Sequence, residues 1–168
     1  RKHGFDEFWG SLLGTPRYWN PMETYHNETP IRVGGYFTDK IADNAIRFIR
    51  ESREQPFFLY LAFNAPHYPL EAPPELIRKY ESVFEYDKFA IYAAMIERMD
   101  TGIGRVFAAL QELGIDDNTF VFFTSDNGPS AEKQHYGLHG ATISAGPLRE
   151  HKFSTFEGGI REPAIARW

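Results

Sequence analysis

The sequence contains no cysteine. Disulfides, thiolate metal sites and a cysteine nucleophile are therefore excluded within these 168 residues. It has no apolar run near the roughly 18 residues that a membrane helix needs. The longest apolar stretch, Phe57 to Phe63, has the length of a strand. No block of lysine and arginine stands out and the net charge is −5, which argues against a nucleic-acid partner, while the missing apolar run argues against a membrane one. There is no internal repeat or low-complexity tract. The first residues, Arg1-Lys2-His3-Gly4-Phe5, lack both an initiator methionine and the apolar core of a leader. Trp168 closes the chain just after Ala164-Ile165-Ala166, so both ends read as cut from something longer.

What is present is ordinary globular material, with 42% hydrophobic and 24% charged residues. A chain of this length fits one domain and can bury a sizeable core. Aromatics are abundant, at 16%. Residues 1–37 are rich in glycine, proline and aromatics without a sustained period, and are expected to form an arm of loop and short elements. Asn27-Glu28-Thr29 is a glycosylation sequon, a triplet that also arises by chance.

Residues 38–168 read as an α/β core. Thr38 is the expected N-cap of a helix running to about Arg53, carried by Ile41, Ala45, Phe48 and Ile49, and Gln55-Pro56 ends it. The unbroken apolar run 57–63 predicts a strand buried on both faces, as in a parallel sheet covered by helices. Asn64 to Pro74 is expected to be loop. Phe89, Tyr92, Ile96, Met99, Ile103, Val106, Leu110 and Leu113 step by three and four, predicting an amphipathic helix over about 86–113 with Gly114 at its C-terminus. A coiled coil would give the same stripe, but the strand that follows at once needs a helix to cover it. Thr119 to Thr124 predicts a second strand, 126–162 a long loop region and 163–168 a short third strand. Alternating helix and strand gives α/β with a mostly parallel sheet flanked by helices.

In open α/β sheets ligands bind beyond the carboxyl ends of strands. His67 follows the first strand, in Ala65-Pro66-His67-Tyr68-Pro69, where flanking prolines restrict the backbone and imidazole is suited to moving protons near neutral pH. Asp126-Asn127-Gly128-Pro129 follows the second. Its carboxylate and amide oxygens suit calcium or another hard cation, although Asp, Asn and Gly also favour plain turns. Lys152 could neutralise an anionic substrate, or be a solvated surface charge. Glu157 and Arg161 could pair with each other, and Asp100 is a helix-surface residue beside the apolar stripe. His135 and His139 are four apart, but Gly137 and Gly140 argue against a helical metal pair.

Taken together, Phe57–Pro69 (FFLYLAFNAPHYP), Thr124–Pro129 (TSDNGP) and Lys152–Pro163 (KFSTFEGGIREP) resemble the sulfatase family in order and spacing. Gly4 to Gly10 looks like the segment that precedes this region in the family, so the resemblance covers nearly the whole chain. It implies a partial alkaline-phosphatase-like α/β fold and hydrolysis of sulfate esters. It also implies a formylglycine nucleophile, made from a Cys or Ser, and a calcium or other divalent ion. Asp126 and Asn127 match metal ligands of the family. His67 matches a residue that contacts the sulfate and protonates the leaving oxygen, and Lys152 matches one that binds the sulfate and bridging oxygen. The nucleophile motif is absent, Thr15-Pro16-Arg17 not being it, as are the early metal-binding Asp pair and the C-terminal subdomain. The resemblance therefore places the formylglycine upstream of Arg1 and makes this chain, alone, an inactive central piece with weak metal binding at best. Substrates would be sulfated sugars or aryl sulfates, selected by loops around 14–30 and 130–150. A periplasmic, secreted or lysosomal location would follow. Two alternatives remain at this stage. One is a phosphoester hydrolase of the same superfamily, against which the Glu157-Gly158-Gly159 segment speaks. The other is a non-catalytic fragment that self-associates through exposed truncated edges as a homo-oligomer.

Overall fold

The computed structural model describes residues 4–14, 16–130 and 144–168. The chain forms two compact units, Arg1–Asp116 and Asp117–Trp168.

The first unit opens with a three-stranded antiparallel sheet in the order β1 (Trp9–Ser11), β2 (Thr24–His26), β3 (Thr29–Ile31). The arm expected over 1–37 thus contains paired strands. Asn27 and Glu28 make the turn between β2 and β3, and Asn27 adopts a left-handed φ of 56°, which Asn tolerates better than most residues. Asn27 is also tied to β1. Its amide donates to the Phe8 carbonyl at 2.7 Å and its Oδ1 accepts from the Phe8 amide at 3.1 Å. Pro30, which cannot donate to a ladder, sits on the edge strand β3. Glu7 joins this sheet to the first helix by accepting hydrogen bonds from Arg47 and from His26, the latter at 3.0 Å. Burial would raise the Glu7 carboxyl, but Arg47 and then His26 outweigh it and hold the group below its ordinary value.

Helix α1 spans Phe37–Ser52 and buries Phe37, Thr38, Ile41, Ala42, Ala45, Ile46, Ile49 and Ser52. The expected cap at Thr38 is corrected. Tyr36 occupies the N-cap, and Thr38 lies wholly buried in the first turn. A second helix, α2 (Pro74–Glu81), occupies a stretch for which the sequence offered only the preceding loop. Pro74 starts it, a position where a missing N–H costs nothing. Helix α3 (Asp87–Glu112) ends with Leu113 as C-cap and Gly114 at φ +67°. The Ile115 amide donates to the Leu110 carbonyl at 3.1 Å and the Gly114 amide to the Gln111 carbonyl at 3.0 Å, the two bonds of a Schellman ending.

The face α3 buries overlaps the expected apolar stripe and adds small residues to it. Val106 and Leu110 of the stripe are buried together with Ala90, Ala94, Met95, Gly102 and Ala109, Phe89, Tyr92, Met99, Ile103 and Leu113 are half-buried, and Ile96 is 39% exposed. Close approach to α1 selects small residues here, for a Cβ on Gly102 would meet the Ala42 Cβ at 3.3 Å. Arg98 of α3 locks the pair, donating from Nε and Nη2 to the two carboxylate oxygens of Asp39 at 2.6 and 2.7 Å.

Segment 57–63 makes no ladder among the described residues. Phe57, Leu59, Leu61 and Phe63 are half-buried, and Phe58, Tyr60 and Ala62 are exposed. Strand-like alternation is present, but one face alone is covered, which corrects the expectation of burial on both.

The second unit carries a short 3-10 turn (Asp116–Asn118), β4 (Val121–Thr124), helix α4 (Glu157–Ile160) and β5 (Ala164–Arg167). Strands β4 and β5 pair antiparallel, Val121 opposite Arg167 and Thr124 opposite Ala164. All ladders among the described residues are therefore antiparallel, and the parallel pairing expected from the alternation is not among them. Phe122, Phe123 and Ile165 of this ribbon are exposed.

Candidate functional site

His67 lies in the first unit, on the turn between segment 57–63 and α2. Its amide donates to the Asn64 carbonyl at 2.9 Å, and the bonds Ala65-Pro66 and Tyr68-Pro69 are both cis. The His67 side chain is exposed. Its Nδ1 lies 2.6 Å from the Tyr68 carbonyl oxygen. A carbonyl only accepts, so Nδ1 carries a hydrogen.

The turn is held from beneath by residues that the sequence alone did not single out. Tyr18, fully buried, directs its hydroxyl at the carbonyl oxygens of both Asn64 (2.7 Å) and His67 (2.9 Å). The Tyr18 amide donates to Glu71 Oε2 at 2.8 Å, and Arg17 pairs with the same carboxylate. Tyr36 stacks on Tyr18 with ring centroids 5.6 Å apart and donates its hydroxyl to the Glu71 carbonyl at 2.8 Å. Burial pushes the Tyr36 phenol up to about 12. These aromatics sit in the aperiodic arm. Their only signal in the sequence was the arm's aromatic density.

Asp126, Asn127 and Lys152 lie in the second unit. Asp126 is exposed at the end of β4. Asn127 donates from Nδ2 to the Gly128 carbonyl at 3.0 Å, which fixes the plane of the amide. Three glycines join this turn to the Lys152 segment. The Gly128 amide donates to the Gly159 carbonyl at 3.0 Å, the Lys152 amide to the Pro129 carbonyl at 3.0 Å and the Gly158 amide to the Arg149 carbonyl at 2.8 Å. A Cβ on Gly158 would lie 2.1 Å from the Glu150 carbonyl oxygen, and one on Gly159 2.1 Å from that of Ser154. Only glycine fits at either position. Glu150 and Phe153 flank His151-Lys152 with φ of 64° and 75°, a left-handed conformation that costs a side-chain-bearing residue about 1–2 kcal/mol. Lys152 is half-buried with Nζ 5.5 Å from the Phe153 ring centre.

Glu157 and Arg161 do pair, at 3.2 Å across one helical turn, and both are exposed. Asp100 is exposed on α3. Thr15, His135, Gly137, His139 and Gly140 lie outside the described residues. A groove of about 430 Å³ on α1 and α3 is lined by Asp43, Ile46, Arg47, Arg50, Glu51 and Arg105. Its arginines are each matched by a carboxylate, Arg47 by Glu7 and Glu51, Arg50 by Glu112 and Arg105 by Asp43, so it is an ion-pair lattice on the helix surface.

The donor set of Asp126 and Asn127 fits a divalent metal in kind, since both offer hard oxygens at the mouth of one turn. It does not fit in number, because calcium takes six to eight oxygens. Among the described residues no group of three or more His, Asp or Glu could hold a metal ion. These two residues can supply part of a shell.

Comparison with known proteins covers the whole chain. N-acetylgalactosamine-6-sulfatase of Rattus norvegicus is 36% identical over 189 residues, covering 99% of this chain and 33% of the relative. Steryl-sulfatase of Mus musculus is 37% identical over 143 residues, covering 84% of this chain and 21% of the relative. Among solved structures, Ps i-CgsB in complex with k-i-k-neocarrahexaose superposes with a TM-score of 0.83 at 32% identity, covering 99% of this chain and 40% of that one. The fold class is that of these structures, α/β and alkaline-phosphatase-like. The match covers 33% of the first of these curated relatives and 21% of the second, so the chain spans only part of their length. The family model described as Sulfatase matches residues 1–168, and the chain belongs to the sulfatase family.

Proposed function

We propose that the protein to which this chain contributes hydrolyses sulfate esters of sugars, with His67, Asp126, Asn127 and Lys152 as this chain's share of the active site. The observation that carries the reading is the glycine-packed junction of the second unit. Hydrogen bonds from Gly128 and Lys152 tie the Asp126-Asn127 turn to the Lys152 segment, and left-handed residues bracket Lys152. Strain of this kind persists where the surroundings over-determine it, and it clusters at functional sites. Supporting the substrate class are an N-acetylgalactosamine-6-sulfatase at 36% identity and a structure at 32% identity that holds a neocarrahexaose.

In this reading the Lys152 ammonium faces the sulfate and steadies the negative charge that builds on its oxygens and on the bridging oxygen. His67 gives a proton to the leaving oxygen as the S–O bond breaks, the bond pair staying with that oxygen. Asp126 and Asn127 would contribute two oxygens to a calcium or other divalent ion, completed by ligands outside this chain. Such an ion acts as a Lewis acid toward the sulfate. The nucleophile, a formylglycine in this reading, also comes from outside these 168 residues.

The test is made on the full-length protein with 4-nitrophenyl sulfate and 4-nitrophenyl phosphate. Sulfate hydrolysis lost on chelation, and lowered roughly a hundredfold or more by Lys152→Ala or Asp126→Ala, is expected. Preference for the phosphate would replace this reading with a phosphoester hydrolase. An unchanged rate in both variants would remove these residues from the site.

A further inference from the structure

We propose that Tyr18 is a positioning residue for His67, setting the direction from which the imidazole delivers its proton. The inference rests on the proposed sulfate-ester reading and deepens it.

Asn64 and His67 are the two ends of the turn that presents the imidazole, closed by the bond from the His67 amide to the Asn64 carbonyl. A single buried hydroxyl, that of Tyr18, sits 2.7 Å from one end's carbonyl oxygen and 2.9 Å from the other's. With one hydrogen and two acceptors it makes a three-centre bond, and both ends are referenced to one atom. The ring behind that atom cannot shift easily. It is 0% exposed, stacked on Tyr36, and packed with Ala65, Ala72, Ala94 and Met95 in the core cluster. Its backbone is fixed as well, through the Tyr18 amide and the Glu71 carboxylate that Arg17 neutralises. The exposed His67 ring is thus an extension of the core, with its Nδ1 engaged by the Tyr68 carbonyl and its Nε2 direction set by the turn. Rigid support of this kind is what holds a reacting group within tenths of an ångström of its productive place.

Removing the hydroxyl with Tyr18→Phe keeps the ring and its packing but leaves the turn unreferenced. A misplaced general acid matters little when the leaving group is already a good one and much when it is poor. The experiment therefore measures kcat/KM of the full-length enzyme on a series of phenyl sulfates running from 4-nitrophenol to unsubstituted phenol as leaving groups. Tyr18→Phe is expected to change the 4-nitrophenyl rate little and to lower the phenyl rate by roughly tenfold more, steepening the dependence on leaving-group acidity in the same sense as His67→Ala. Arg105→Met, which removes the ion pair with Asp43 further along the α1–α3 contact, is expected to leave the dependence unchanged. A Tyr18→Phe enzyme that loses rate uniformly along the series overturns the proposal, as does an Arg105→Met enzyme with the same steepening. If Tyr18→Phe does not fold, Glu71→Gln loosens the same anchor from the side of the Tyr18 amide. A smaller steepening is expected, and none would overturn the proposal. If His67→Ala itself shows no steepening, or the wild type hydrolyses no sulfate ester, the underlying reading has failed and this inference falls with it. Steepening in His67→Ala without any in Tyr18→Phe defeats this inference alone.

Discussion

A Cβ placed on Gly128 would lie 1.9 Å from the carbonyl oxygen of Gly158, so the turn after β4 and the start of α4 are in backbone-to-backbone contact. No real Cβ approaches an oxygen that closely, and here the obstacle is main chain, which cannot swing aside. Gly128→Ala and Gly158→Ala are each expected to destabilise the second unit by about 2–4 kcal/mol, the range of severe overpacking. Denaturant titration reads the loss. Gly104→Ala is the matched control, since a Cβ there meets nothing within 4 Å. In mid-helix it should stabilise by about 0.5–1 kcal/mol. A Gly128→Ala protein as stable as the wild type would show that the contact is looser than drawn.

Arg98 and Asp39 provide a second test. The guanidinium meets the carboxylate with two parallel hydrogen bonds, and both groups are partly shielded from solvent. The Asp39 bond holds the Arg98 guanidinium above its already high ordinary value, against the opposing effect of burial. Bidentate pairs in such surroundings are worth more than exposed ones. Arg98→Met and Asp39→Asn are each expected to cost about 1–3 kcal/mol. In a double-mutant cycle the coupling should exceed that of the exposed Arg161–Glu157 pair, which is expected to be near zero. Equal coupling in the two pairs would contradict this.

Tyr36 makes a prediction about alkaline pH. Its phenol is raised to about 12 by burial, from an ordinary value near 10. The folded state therefore favours the neutral form. The resulting stabilisation is complete below pH 10 and is lost as pH rises through about 12, and it amounts to roughly 2–3 kcal/mol over that window. Tyr36→Phe should be less stable than wild type near neutrality by about 1 kcal/mol, because the bond to the Glu71 carbonyl is gone. Its Tm should then fall less steeply between pH 10 and 12. Parallel Tm profiles for the two proteins across that range would refute the assignment.

How much of this was visible in the sequence depends on whether local pattern or long-range packing decides the matter. Helix α1 and α3 were legible because period and stop signals agreed, and Gly114 marked the end of α3 because a left-handed residue was needed there. The buried face of α3 was read in part. Val106 and Leu110 of the apolar stripe are buried and Ile96 is exposed, but the closeness of α1 also buries Ala94, Gly102 and Ala109, and nothing local reports that distance. Segment 57–63 read as a strand buried on both faces. One face is bare and no ladder forms among the described residues, because pairing depends on a partner and not on the segment. His67, Asp126, Asn127 and Lys152 were legible as motif residues. The supports of His67 were not, since Tyr18, Tyr36 and Glu71 lie in stretches without period and act over separations of up to 53 residues. Contacts of that span are a property of the fold.

The backbone around Lys152 gives the last test. Glu150 and Phe153 hold left-handed φ values that glycine adopts at no steric cost, and both side chains are exposed, so truncation costs little packing beyond the Phe153 ring beside Lys152, which makes Glu150→Gly the cleaner of the two variants. Glu150→Gly and Phe153→Gly are each expected to raise the stability of the second unit by about 1 kcal/mol, the relief of strain exceeding the added entropy of the unfolded chain. If that strain exists to present Lys152, the same variants should lose activity in the full-length enzyme, with kcat falling more than KM rises. Greater stability with undiminished kcat would mean that the loop is strained for packing alone. The Gly158 and Gly159 contacts supply the reason for the expected direction. Gly158 and Gly159 lie close beneath the carbonyls of Arg149, Glu150, His151 and Ser154, the Gly158 amide bonded to that of Arg149, and above them the chain turns left-handed at Glu150 and Phe153. Glycine at 150 or 153 keeps that path open at no steric cost and makes other backbone paths accessible as well.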